Sequence, residues 1–251
     1  MFKPLRDIGY QIETRNHAEA ILGVDFAPQV SALTNVLKNF RLKSEDIIKS
    51  GGGHAELTMR LRDALVEQGW EKHNFVAQTI VDGRELVSTS HEIDHVCRST
   101  SGTIALEIEW NNKDPFFDRD LENFHRLHSQ SAISLGIMIT RGSSLQESMV
   151  DIVAKKLRNE EILDLSELED WGVKERTARQ KELLEKLLEK QVPFADAFAK
   201  SFVGDKFGQA TTHWNKLQDR IDRGVGNPCP LLLIGIPVSV VEDYSAATLE
   251  L

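Results

Sequence analysis

Cysteine is nearly absent: Cys97 and Cys229 are the only two in 251 residues. This excludes a disulfide framework and a paired-thiol metal site, and makes a reducing cytoplasm the expected compartment. Long apolar runs are missing too. Nothing approaches the roughly 20 residues that span a bilayer, and the opening MFKPLRDIGYQIETRNHAEA has no apolar core of the signal-peptide kind. Aromatic residues make up only 7%, which argues against a carbohydrate hydrolase built on paired acids, where stacking platforms for sugars are expected. A basic surplus is lacking as well. Asp and Glu number 39 against 30 Lys and Arg, for a net charge of −9, so the overall charge does not advertise nucleic-acid binding. It does not forbid it, because a groove can be basic under an acidic exterior and a bound cation offsets carboxylate charge. Internal repeats and low-complexity linkers are absent. What remains is an ordinary globular composition, 41% hydrophobic and 27% charged, long enough for one large domain or two small ones with a sizeable core.

The pattern along the chain alternates helix and strand. Residues 24–49 read as helical, with Val30, Leu33, Val36, Leu37 and Phe40 apolar. The Gly51-Gly52-Gly53 triplet breaks the chain. A second helix from about His54 to Gln68 repeats Leu57, Leu61 and Leu65 every four residues, one buried stripe. Residues 74–110 read as β-structure. Phe75 to Ile80 leads into Asp82-Gly83, a hairpin signal, and Glu85 to Ser90 returns. Phe117 to Ser131 reads as a helix with Leu121, Phe124, Leu127 and His128 on one face, and Ile133 to Thr140 as a buried strand. Helices follow at Gln146–Asn159 and Glu175–Gln191. Gly224 to Pro230 is a break, and Leu231 to Ile236 is a last buried strand. The order predicts a single α/β domain over residues 1–251, with a mixed central sheet flanked by helices.

The segment HEIDHVCRSTSGTIALEIEWNN carries the chemistry. Asp94 lies in one apolar run, Glu107 and Glu109 in another, and Ser-Thr-Ser-Gly between them reads as a turn. Side chains alternate along a strand, so Glu107 and Glu109 share a face and Ile108 takes the other. Two strands joined at that turn bring all three acids to one point. Clustered carboxylates repel and call for a cation, and hard oxygen donors with few histidines or thiols favour Mg²⁺. The backbone carbonyl of Ile108 is a further oxygen donor. Such a set suits hydrolysis of phosphodiesters, with Glu109 orienting or deprotonating water. The bland alternative is an edge strand whose acids simply face water. Glu56, at the start of the second helix, is either a fourth member of the set or an ordinary first-turn acid favoured by the helix dipole.

Four pieces in order, GGGHAELTMRLRDALVEQGW, EIDHV, IALEIEWNNKDPFFDRDLENF and AISLGIMITRG, resemble the BglII/BamHI-type (BstYI-like) restriction endonucleases of the PD-(D/E)xK nuclease superfamily. The resemblance covers about residues 51–142, and more loosely the C-terminal third. It implies a restriction-endonuclease-like fold with its catalytic core at 51–142 and DNA-contacting and structural additions at 160–251. By that resemblance Asp94 and Glu107 are metal ligands and Glu56 completes the site from the preceding helix. Glu109 stands where most of the superfamily has lysine. BamHI-like enzymes have glutamate there and BglII-like enzymes glutamine, so Glu109 is a base, a ligand to a second metal, or both.

The resemblance also implies Mg²⁺ as cofactor, double-stranded DNA as substrate, a homodimer matched to a palindromic site, and a cognate DNA methyltransferase in the same system. The helix Phe117–Ser131 and the one from Gln146 are the candidate dimer elements. Asn111 and Asn112 are candidates for base readout, since asparagine pairs bidentately with adenine, or else a polar turn closing the strand. Asp114, Arg119 and Arg141 are further DNA-facing candidates. The segment GDKFGQATTHWNKLQDRIDRGVGNPCP offers Thr212, His213, Lys216, Arg220 and Arg223 for phosphates and bases. Its plainer reading is an amphipathic helix, His213 to Arg223, with Trp214, Leu217 and Ile221 inward. Two other readings stay open: a non-specific or repair-type nuclease of the same fold, and a catalytically inactive DNA-binding protein, against which the intact acid trio argues.

Overall fold

The alternating and fully apolar segments assemble into one six-stranded sheet. The computed structural model describes residues 1–49, 56–169, 171, 173 and 175–245. Along the chain run α1 (Lys3–Arg6), β1 (Gln11–Arg15), α2 (Ala18–Val24), α3 (Ala27–Asn39), α4 (Ser44–Ile48), α5 (Glu56–Val66), β2 (Glu71–Val81), β3 (Arg84–Ser99) and β4 (Gly102–Glu109). Then follow α6 (Pro115–Ser129), β5 (Leu135–Arg141), α7 (Ser143–Asn159), α8 (Leu165–Glu169), α9 (Ala178–Leu188), α10 (Phe194–Lys206), α11 (Trp214–Asp222) and β6 (Leu231–Ile236). The strand order is β1-β6-β5-β4-β3-β2. β4, β5 and β6 are parallel, and β1, β2 and β3 are antiparallel to their neighbours. Among the described residues no single helix is long and apolar enough to cross a membrane.

The two faces of the sheet carry separate cores. Leu106, Ile137, Ile139, Leu232 and Ile234 point toward the larger one, shared with α3, α5, α7 and α10. Ala105, Met138, Leu231 and Leu233 point the other way, under α6 and α11, where Phe117, Leu121, Phe124, Trp214 and Leu217 cover them. The parallel strands are buried on both faces, which is why 133–140 and 231–236 read as unbroken apolar runs. α6 sits very close to the sheet. A Cβ built on Gly136 would lie 2.4 Å from Cδ2 of Phe124, so a side chain at 136 would hold the helix off.

The Asp82-Gly83 hairpin forms as its sequence demands, with φ of 50° and 74° at the two residues of a tight turn between β2 and β3. The β3–β4 connection turns at Thr100-Ser101, as expected. One expectation needs correction. Residues 24–49 are not one helix: Phe40 leaves α3 in extended geometry and Leu42 forms a bridge with Val241, so a tertiary contact breaks the helix before α4. β1 was not anticipated, because QIETR is polar and its strand state is set by pairing with β6. α10 was not anticipated either; its Phe and Ala residues pack on α7 and α9. The Gly51-Gly52-Gly53 triplet lies outside the described residues.

Candidate active site

β4 is an interior strand, and its last residues bring the acids into the fold. Glu107 and Glu109 are both buried, on the α6 side, while Ile108 packs into the opposite core. The β3–β4 ladder ends at His95–Leu106; continued by one residue, it sets Asp94 across from Glu107. Asp94 is half-exposed and paired with Arg62 of α5 at 3.2 Å and more distantly with Lys72 at 4.0 Å. Burial, reinforced by the charges of Asp120, Asp94 and Glu109, holds the Glu107 carboxyl well above the usual carboxylate range. Burial and the Asp120 charge push Glu109 up to about 8, while a 2.9 Å hydrogen bond donated by Asn112 Nδ2 to its Oε2 works the other way.

α6 supplies what sequence reading missed. Asp120 is fully buried beside Glu109. Its Oδ1 accepts from Arg119 Nε at 2.7 Å, and no donor reaches Oδ2. Glu109 and Asp120 can hydrogen-bond each other only when one carries a proton. His91 of β3, Glu107 and Asp120 each place one ligand atom within 4.8 Å of the others. Asn123, also on α6, lies 3.0 Å from Nδ1 and 2.9 Å from Nε2 of His91, and Arg126 donates to its Oδ1 at 2.8 Å. A signal for Asp120 was present: it stands three residues after Phe117 and four before Phe124, inside the buried stripe of an amphipathic helix, where an unpaired acid is expensive. His91 gave no such signal.

This donor set suits a hard divalent cation. Glu107, Glu109 and Asp120 are buried carboxylates, and Arg119 is the one cation in ion-pair contact with any of them among the described residues, at 2.7 Å from Asp120 and 3.9 Å from Glu109. The excess negative charge and the partnerless Asp120 oxygen are what a bound cation would satisfy. The Glu56 side chain lies outside the described residues.

The DNA-facing candidates converge, but several face inward. The loop after β4 pairs with the segment before α11: Thr212 N donates to Asn112 O at 2.8 Å, Asp114 N to Ala210 O at 3.0 Å, and Lys113 bridges Thr211. Arg141, expected at the DNA, is instead fully buried. It donates to the Thr212 carbonyl at 2.5 Å and Thr211 Oγ1 at 2.7 Å, with its guanidinium 5.0 Å from the Phe207 ring and 5.9 Å from that of Trp110. Burial pushes its pKa down to about 9, so it keeps its charge at neutral pH. Thr212 and His213 are also buried, and burial with the nearby Arg141 charge pushes His213 down to about 4. Arg220 is buried in an ion pair with Asp114 at 3.1 Å and Asp118 at 3.2 Å, fastening α11 to α6. These groups hold the loop pair in place because a buried charge needs partners more than a ligand does. Asn111, Lys216 and the exposed Arg223 keep access to solvent. Arg119 lies over Phe116 at 4.4 Å and is directed at the acids.

No curated protein matches the chain. The family model described as Restriction endonuclease BglII/BglIII matches residues 10–236, from the strand β1 to the end of β6. The mixed α/β sheet flanked by helices is accordingly the restriction-endonuclease-like fold, and the chain belongs to the BglII/BglIII restriction endonuclease family, whose members are nucleases that cleave DNA site-specifically.

Proposed function

We propose that the chain is a Mg²⁺-dependent type II endonuclease that hydrolyses both strands of a short palindromic double-stranded DNA site, acting as a homodimer with one strand cut per protomer. The observation that carries this reading is the nearness of Asp94, just past the end of the β3–β4 ladder, to Glu107, whose carboxyl its charge helps to raise, with Glu109 two residues further on the same face and buried. Asp94, Glu107 and the Ile108 carbonyl would hold the cation, with Glu56 as a further ligand. Bound there, Mg²⁺ would supply Lewis-acid polarisation of a phosphoryl oxygen and a water of lowered pKa.

The residues of the chain do the rest. Glu109 would receive the proton of the attacking water: burial raises it to about 8 without metal, and a cation held by its neighbours would bring it down to where it acts as a base near neutral pH. Asn112 fixes one Glu109 oxygen and so aims the other. The glutamate at 109, in place of the superfamily's lysine, favours the BamHI-like arrangement. Asn111, Asn112 and Asp114 lie on the loop that would meet the major groove, Lys216 and Arg223 would meet phosphates, and Arg141, Thr212, His213 and Arg220 would shape that surface from beneath. Arg119 would help neutralise the acids. α7 is covered by α4 and α10, which leaves the outer face of α6 as the favoured dimer element. A cognate methyltransferase would protect the host site.

Purified protein incubated with plasmid and Mg²⁺ should give discrete bands. Asp94→Ala and Glu107→Ala should each lower cutting by at least about a thousandfold, roughly 4 kcal/mol of barrier, while circular dichroism stays native. A smear would point to a non-specific nuclease, and cutting that survives either change would remove the metal site proposed here.

A further inference from the structure

We propose that His91, Glu107 and Asp120 form a second divalent-cation site, of the kind that takes Mn²⁺ or a later transition ion, on the α6 side of Glu107. It rests on the proposed function only in that Glu107 would serve both sites.

Three observations carry it. Ligand atoms from β3, β4 and α6 lie within 4.8 Å of one another, about the span set by bonds of 2.0–2.6 Å to one ion. Asp120 is fully buried with an oxygen that no donor reaches, although its other oxygen holds Arg119. The charges do not balance locally. Asp94 has Arg62 and Lys72, whereas Glu107, Glu109 and Asp120 have Arg119 alone among the described residues. Without a cation, burial and mutual repulsion hold Glu107 and Glu109 toward their protonated forms; a divalent ion would release those protons and offset the charge that ionisation creates.

The donor chemistry separates this site from the Asp94 side. An imidazole with two carboxylates favours Mn²⁺, Zn²⁺ and related ions over Mg²⁺, which prefers oxygen alone. The ring of His91 is already oriented. Arg126 fixes Asn123, whose amide nitrogen lies against the imidazole and donates to its lone pair, so Asn123 holds the ring in place as a donor that a metal ion would displace. An ion would take over the ring lone pair that now faces Asn123. Bound there, it would anchor α6 to β3 and β4.

The test uses full-length, metal-free protein without DNA, with Mn²⁺ as probe. Pulsed electron paramagnetic resonance should show coupling of bound Mn²⁺ to one imidazole nitrogen. His91→Gln should abolish that coupling, and Asp120→Asn should weaken the same binding step at least tenfold, with thermal melts confirming both variants folded. Asp94→Ala should keep the nitrogen coupling while losing DNA cleavage. No nitrogen coupling in the parent protein, or coupling that survives His91→Gln, would overturn the proposal. Cleavage that survives Asp94→Ala would instead overturn the catalytic reading and leave this site standing.

Discussion

Glu109 shows what burial does to one side chain. Its pKa rises from the ordinary 4.5 to about 8 in the fold, so the folded protein holds a proton that the unfolded chain has released. Stability from this group is therefore present at low pH and lost as pH rises toward and through the folded value. The buried histidines His95 and His213, both pushed down to about 4, work the other way, but only below about pH 7, where the unfolded chain takes up their protons. From about pH 7 to about pH 8.5, metal-free protein should lose on the order of 1 kcal/mol per pH unit. Glu109→Gln should reduce that slope, with Glu107, also raised by burial, supplying the remainder, and Mg²⁺ should restore stability at the upper end. Chemical denaturation across the pH series measures all three, and a slope unchanged by Glu109→Gln would sink the assignment. Arg141 is the second residue whose environment decides its role. Arg141→Ala should cost roughly 2–4 kcal/mol by leaving the Thr212 carbonyl unsatisfied in the interior. Arg141→Lys should not rescue it, because one ammonium cannot reproduce the forked contacts to Thr211 and Thr212. Urea titration separates the outcomes.

At the scale of elements, α6 is the part that completes the site. It brings Arg119, Asp120 and Asn123 over the middle of β3 and the end of β4, and it can do so because Gly136 lets Phe124 reach the sheet. Gly136→Ala would place its methyl 2.4 Å from Phe124 and should lift α6 or displace that ring by about 1 Å, costing about 1–3 kcal/mol. DNA cleavage should fall further than stability when assayed well below the melting temperature; cleavage at the parent rate in a folded variant would show that α6 does not set the catalytic geometry. Helix existence was legible here. The stripe Leu121, Phe124, Leu127 predicts it, and the ends shift by only two residues, from 117–131 to 115–129. The acid in its buried stripe was legible too, as a rule broken, yet its partners were not. Nothing local says that residue 120 meets residues 91 and 107, because those meetings depend on how a helix crosses a sheet.

Across the whole molecule, the resemblance concentrated in 51–142 gives an incomplete picture of what folds. β6, more than 120 residues later than β4, lies between β5 and β1, and its Leu232 and Ile234 are part of the larger core. A fragment of residues 51–142 should therefore remain unfolded by circular dichroism and near-ultraviolet signal, since it would bare an apolar strand edge and lose most of one core. A cooperative melt from that fragment would contradict this. The overall acidity also takes on a different meaning: of the acids behind the formal net charge of −9, Glu107, Glu109 and Asp120 are buried in the fold and do not contribute to an exposed acidic surface.

By itself the sequence determined the local states. These are the hairpin at Asp82-Gly83, the amphipathic helices, the unbroken apolar strands, and the face shared by Glu107 and Glu109, because turn geometry and the periods of 2 and 3.6 act between near neighbours. Only the tertiary structure decided that QIETR would be a strand, that Arg141, Thr212, His213 and Arg220 would face inward, and that His91 and Asp120 would join the acids. Each of those outcomes depends on burial and on charge meeting charge across long sequence distances, which no local pattern encodes.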